Sequence, residues 1–186
     1  MRVKIIICPG IHLPQLTNSF VTYLKDIQDD NFQFDLFIFP TDKYPAYSGF
    51  HVLQYLQEKC CNKSQGLIII GFSAGVVAAV TAAWQWQLQG GTIKGLIAFD
   101  GWGVPVLGNF PIYRVSHDQF THDSSIILGT GTMSFYADPA VDHLDLWRSP
   151  DLVQGWMVQT TTPNKKLLSY LSLIDFLATV TQASCW

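Results

Sequence analysis

The feature that most constrains the fold is an alternation of short, continuously apolar runs with helix-like segments. VKIIIC (Val3–Cys8), DLFIF (Asp35–Phe39), GLIII (Gly66–Ile70) and IKGLIAF (Ile93–Phe99) are each too short for a core helix. They are apolar on successive residues, so a strand made from any of them needs cover on both faces. PIYRVS (Pro111–Ser116) and MSFYA (Met133–Ala137) read as two further strands. Between the runs lie an amphipathic stretch, Leu16–Ile27, and a segment opening near Ser48 whose buried side is marked by Phe50, Leu53, Tyr55 and Leu56. A third, VVAAVTAAWQWQLQ, is closed by Gly90-Gly91. Strand, helix and strand in succession fit the right-handed crossovers of a parallel sheet. The expected fold is therefore α/β: a three-layer sandwich with a mostly parallel central sheet, in a single domain spanning residues 1–186.

Composition narrows the function classes. A chain of 186 residues suits one domain that buries about 70% of its unfolded surface. With 48% hydrophobic and 13% charged residues, a dense core is expected and disorder is not. A net charge of −3 without a basic run argues against nucleic acid as a partner. The run Val3–Cys8 is cut off by Pro9-Gly10, too short for a signal-peptide core or a membrane span. A cytoplasmic protein with no membrane span is expected. Cys8, the adjacent Cys60 and Cys61, and Cys185 form no CxxC pair, and reduced thiols are the expectation.

The chemistry-bearing stretch is GLIIIGFSAGVVAAV, Gly66–Val80. Ser73 stands between two glycines where a strand pattern gives way to a helix pattern. At such a corner the neighbours must be small for strand and helix to approach, and Gly71, Ala74 and Gly75 satisfy that demand. The turn lifts the hydroxyl clear of the chain at a helix N-terminus, where backbone N–H groups favour developing negative charge. Ser73 is the expected nucleophile. Since ligands of open α/β sheets sit beyond the carboxyl ends of the strands, the other candidates along that edge are Pro9-Gly10-Ile11-His12, Asp100, His117-Asp118 and Asp142-His143.

GFSAG in this setting resembles the nucleophile elbow of the α/β-hydrolase superfamily, in a small form without a cap domain, over about Val3–Trp147. The resemblance implies a serine, acid, histidine order. It places Asp118, after PIYRVS, in the acid's position and His143, in MSFYADPAVDH, in the histidine's. Asp100, which ends the strand after the serine strand, is the rival acid. The resemblance also implies an oxyanion hole from the backbone N–H groups of Ala74 and Ile11, with His12 shaping that loop beside the substrate. Trp102, in the apolar loop GWGVPVLGNFP, would line an acyl or alcohol pocket. The implied activity is hydrolysis of a carboxylic ester or thioester, a small-molecule acyl substrate, through a covalent acyl-enzyme. No cofactor and no metal are called for. Two alternatives stay open: a non-catalytic binding protein on the same fold, and a metal-assisted hydrolase using HDQFTHD (His117–Asp123).

Overall fold

A computed structural model of the chain describes residues 2–29, 32–60, 62–162 and 165–183. Six strands follow the apolar runs: β1 (Arg2–Cys8), β2 (Gln33–Ile38), β3 (Leu67–Phe72), β4 (Ile93–Phe99), β5 (Ile112–Ser116) and β6 (Met133–Ala137). Helices α1 (Pro14–Asp26), α2 (Gly49–Lys59) and α3 (Ala74–Leu88) connect the first four, and a short α4 (Gln119–Ser125) follows β5. After β6 come α5 (Asp145–Arg148), an edge hairpin of β7 (Gln154–Thr162) and β8 (Lys165–Ser172), and α6 (Leu173–Ala183).

The sheet order is β2-β1-β3-β4-β5-β6-β7-β8. Strands β1 to β6 pair in parallel, and β7 and β8 are antiparallel. The fold is thus α/β with a mostly parallel sheet, as the alternation implies. Period-two alternation divides each strand between two cores. Ile5 and Ile7 join Ile68, Ile70 and Phe72 under α1, α5 and α6, whereas Ile6 and Cys8 join Ile69 under α2 and α3. The chain steps from β1 outward to β2, then returns to β3 on the other side of β1. That reversal opens a crevice at the carboxyl ends of β1 and β3, the place where open α/β sheets bind ligands.

One sequence reading is corrected, and two elements are added. Phe50 is 61% exposed, and Val52 takes the buried place on α2 beside Leu53 and Leu56. The span between Asp118 and His143 holds a two-turn helix, α4, despite its shortness. The β7–β8 hairpin escapes a search for continuous apolar runs because an edge pair needs cover on one face only; Leu167, Leu168 and Tyr170 stay about half exposed. Cys8 and Cys60 are buried. Burial alone pushes the Cys8 thiol up to about 12, so it stays protonated and unreactive. Cys61 and Cys185 lie outside the described residues. Among the described residues no helix is long and apolar enough to cross a membrane.

Candidate active site

Ser73 joins β3 to α3 with φ 53 and ψ −121. A non-glycine residue held there stores on the order of 1–3 kcal/mol of strain, which the surrounding packing must hold in place. The flanking glycines supply room for that packing. A Cβ on Gly71 would sit 2.9 Å from the Val76 Cα, and one on Gly75 would strike the Cys8 carbonyl and come within 2.5 Å of the Pro9 carbonyl. Strand β1, β3 and the helix start therefore meet backbone to backbone. Ser73 occupies the N-cap position of α3, yet its hydroxyl makes no capping bond, so the side chain is not committed to holding the helix.

Asp100, directly after β4, is the other non-glycine residue with positive φ (47) among the described residues. Two strained positions thus stand at the ends of neighbouring strands, β3 and β4. The Asp100 side chain is 2% exposed, and its charge is met by three donors. His143 Nδ1 lies 2.6 Å from Oδ2, His117 Nδ1 lies 2.8 Å from the same oxygen, and the His117 backbone N–H donates to Oδ1 at 3.0 Å. A carboxylate partner assigns the proton to Nδ1 of each ring and leaves Nε2 as the basic nitrogen. His143 sits on the loop after β6. Its ring stacks on Phe72 at 4.8 Å, and Phe72 in turn stacks on the buried Trp147 of α5. The Val141 N–H donates to the His117 carbonyl at 3.0 Å and ties that loop to the end of β5.

The carboxylate that meets His143 is therefore Asp100, not Asp118. Asp118 is the N-cap of α4 and accepts the Thr121 N–H at 2.7 Å; its other oxygen lies 3.6 Å from His117 Nε2. Partial burial raises its pKa, but the Thr121 hydrogen bonds and His117 outweigh that and hold the carboxyl below its ordinary value. A capping residue facing along its own helix cannot also reach the ring on the next loop.

Ser73, His143 and Asp100 line one open pocket of about 600 Å³, with Trp102, Val104 and Phe120 as its apolar wall. Trp102 and Phe120 are 67% and 76% exposed. Trp102 thus lines the pocket on which Ser73 opens. His12 does not line this pocket. Its Nε2 lies 2.9 Å from Thr17 Oγ1 at the start of α1, its ring packs edge-on to Phe72, and burial, then His143, push its pKa down. The loop bearing Gly10 and Ile11 does abut the elbow: a Cβ on Gly10 would be 3.1 Å from the Ser73 Cβ.

HDQFTHD does not converge on a common point. His117 turns to Asp100, while His122 is buried with Nε2 2.8 Å from Ser134 Oγ and Nδ1 3.0 Å from Asp123. Serine, histidine and aspartate are bonded in series there, but Ser134 and His122 are only 5% and 4% exposed and tie α4 to β6. The triad's residue types without access make a structural brace. Asp100, His117 and His143 do bring one possible ligand atom each within 4.8 Å of one another. The two ring nitrogens, however, stand at hydrogen-bond distance from the carboxylate oxygen, so these groups are committed to each other. The chain matches no protein-family model and no curated protein.

Proposed function

We propose that this chain is a serine hydrolase of the α/β-hydrolase type, acting on carboxylic esters or thioesters through Ser73, His143 and Asp100. The observation that carries the reading is the strained serine turn opening on the same pocket as a histidine whose Nδ1 is held by a buried carboxylate. Ser73 Oγ attacks the acyl carbon while His143 Nε2 takes its proton, and Asp100 holds the ring in the Nδ1–H tautomer and steadies the imidazolium. The tetrahedral oxyanion is met by backbone N–H groups. Ala74 opens α3, so its N–H has no partner in the helix ladder, and Ile11 is the second donor. Collapse breaks the bond to the leaving group, which departs with the proton from His143. Water, deprotonated by His143, then splits the acyl-serine ester, releasing the acid and restoring Ser73. Among the described residues, the pocket walls carry no charged side chain apart from Asp100 and the two histidines. That lining suits neutral acyl and alcohol groups better than a polyanionic leaving group.

A fluorophosphonate probe tests the reading. Stoichiometric labelling of Ser73 that is absent in Ser73→Ala supports it; an unlabelled, folded wild-type protein would leave the non-catalytic alternative. Gly10→Val adds a second check. Its Cβ would press on the Phe72 carbonyl at 3.0 Å and on Ser73, displacing the loop that carries the Ile11 N–H. We expect kcat to fall by about 100-fold, equivalent to about 3 kcal/mol of oxyanion stabilisation. Turnover retained within a few-fold, measured on protein of unchanged circular dichroism, would remove the loop from the mechanism.

A further inference from the structure

Among the residues lining the Ser73 pocket, His117 is the titratable one that the reaction as written does not use, yet it makes more bonds to Asp100 than His143 does. Its backbone N–H binds Asp100 Oδ1, its ring binds Oδ2, and its carbonyl receives the N–H of Val141, two residues before His143. The backbone bonds would survive any side chain. The ring bond would not, and it falls on Oδ2, the oxygen that also receives His143 Nδ1.

We infer that His117 is a positioning residue that moderates the hold of Asp100 on His143 by sharing one carboxylate oxygen. A carboxylate oxygen with one donor concentrates its charge on that donor; a second donor draws part of that charge away and lessens the stabilisation of an imidazolium on the first. For a serine hydrolase, the reading on which the catalytic side of this inference rests, the consequence is a base that gives up its proton at lower pH. His143 would then be free to accept the serine proton over a wider range. The titratable groups facing the pair are Asp100 at the end of β4, Asp118 at the start of α4, and His12 after β1, whose pKa burial and then His143 push down.

Two substitutions separate this role from simple packing. Asparagine puts its amide nitrogen near the place of Nδ1 and can still donate to Oδ2; leucine fills similar space and cannot. The ring protons of His143 are titrated by NMR in wild type, His117→Leu and His117→Asn, and the pH dependence of ester turnover is measured on active sites counted with the fluorophosphonate. In His117→Leu the His143 titration and the acid limb of kcat/KM should both move to higher pH by about one unit, a size ordinary for a lost charge-sharing bond. In that variant turnover should recover towards wild type once the pH is above the shifted limb. His117→Asn should titrate like the wild type. A loss in His117→Leu that is equal at every pH, with no shift of His143, overturns the inference, as does an equal shift in both variants, which would point to charge and not to the shared bond. Should His117→Leu fail to fold, a shift in His117→Asn by itself overturns it, and coincident wild-type and His117→Asn titrations support it. The NMR arm needs no turnover. A shift of His143 without any Ser73 labelling in the wild type would sink the hydrolase reading and leave this inference standing. Labelling and turnover with an unmoved His143 would do the reverse.

Discussion

Ser73→Ala is expected to lower ester turnover by about 10⁴-fold or more while leaving a folded protein. The hydroxyl is the attacking atom in the proposed mechanism, and neither His143 nor the oxyanion donors can supply a replacement. Its removal costs the fold little, because the side chain makes no capping bond and alanine keeps the same Cβ at φ 53. The stability change should lie within about 0.5 kcal/mol. Ser73→Gly provides a control on the strain. Glycine adopts positive φ without penalty, so that variant should be as inactive as the alanine one yet more stable by about 1 kcal/mol. Urea titration and turnover on the same preparations check both. Turnover within tenfold of wild type in Ser73→Ala would exclude the serine mechanism.

The second large effect is expected at Asp100. In Asp100→Asn the amide presents a donor where three donors already converge, so at least one contact becomes N–H against N–H. His143 is then free to take the other tautomer, with its proton on Nε2, where it cannot serve as base. A loss of about 10⁴ in kcat is expected, as for other triads whose acid becomes an amide. A side chain 2% exposed also loses its fully met charge, so stability should fall by about 1–3 kcal/mol. Asp118→Ala offers the contrast. It should keep turnover within a few-fold and lose roughly 1 kcal/mol, the usual worth of an N-cap. The folded carboxyl of Asp118 sits below its ordinary value. Its contribution is therefore complete above the ordinary carboxylate range and disappears as pH falls through the lower folded value, so wild type and Asp118→Ala should converge in acid. A large kcat loss in Asp118→Ala with an unaffected Asp100→Asn would reverse the two assignments.

Sequence alone determined the features that depend on local pattern. Continuous apolar runs require two-sided cover, so the existence and order of β1, β3 and β4 and of the helices between them were readable, though not their bounds or every buried position on α2, and the sheet edge that gathers polar groups followed from them. GFSAG was readable as a tight corner because only small flanking residues allow β1, β3 and α3 to meet, and the Gly71 and Gly75 contacts show how little space there is. Strand β2 was legible from DLFIF although its place at the sheet edge leaves it only partly covered, whereas β7 and β8 carry exposed residues and their patterns were faint. The choice between Asp100 and Asp118 belonged to the tertiary structure. Both follow a strand, both precede a turn, and nothing in their neighbours' identities says which carboxylate the loop after β6 will meet. The answer depends on the positive φ of Asp100, on the commitment of Asp118 to the α4 cap, and on how Phe72 and Trp147 seat His143. The shared oxygen between His117 and His143 is a property of three chain segments far apart in sequence; it exists only once the sheet places the ends of β4, β5 and β6 side by side.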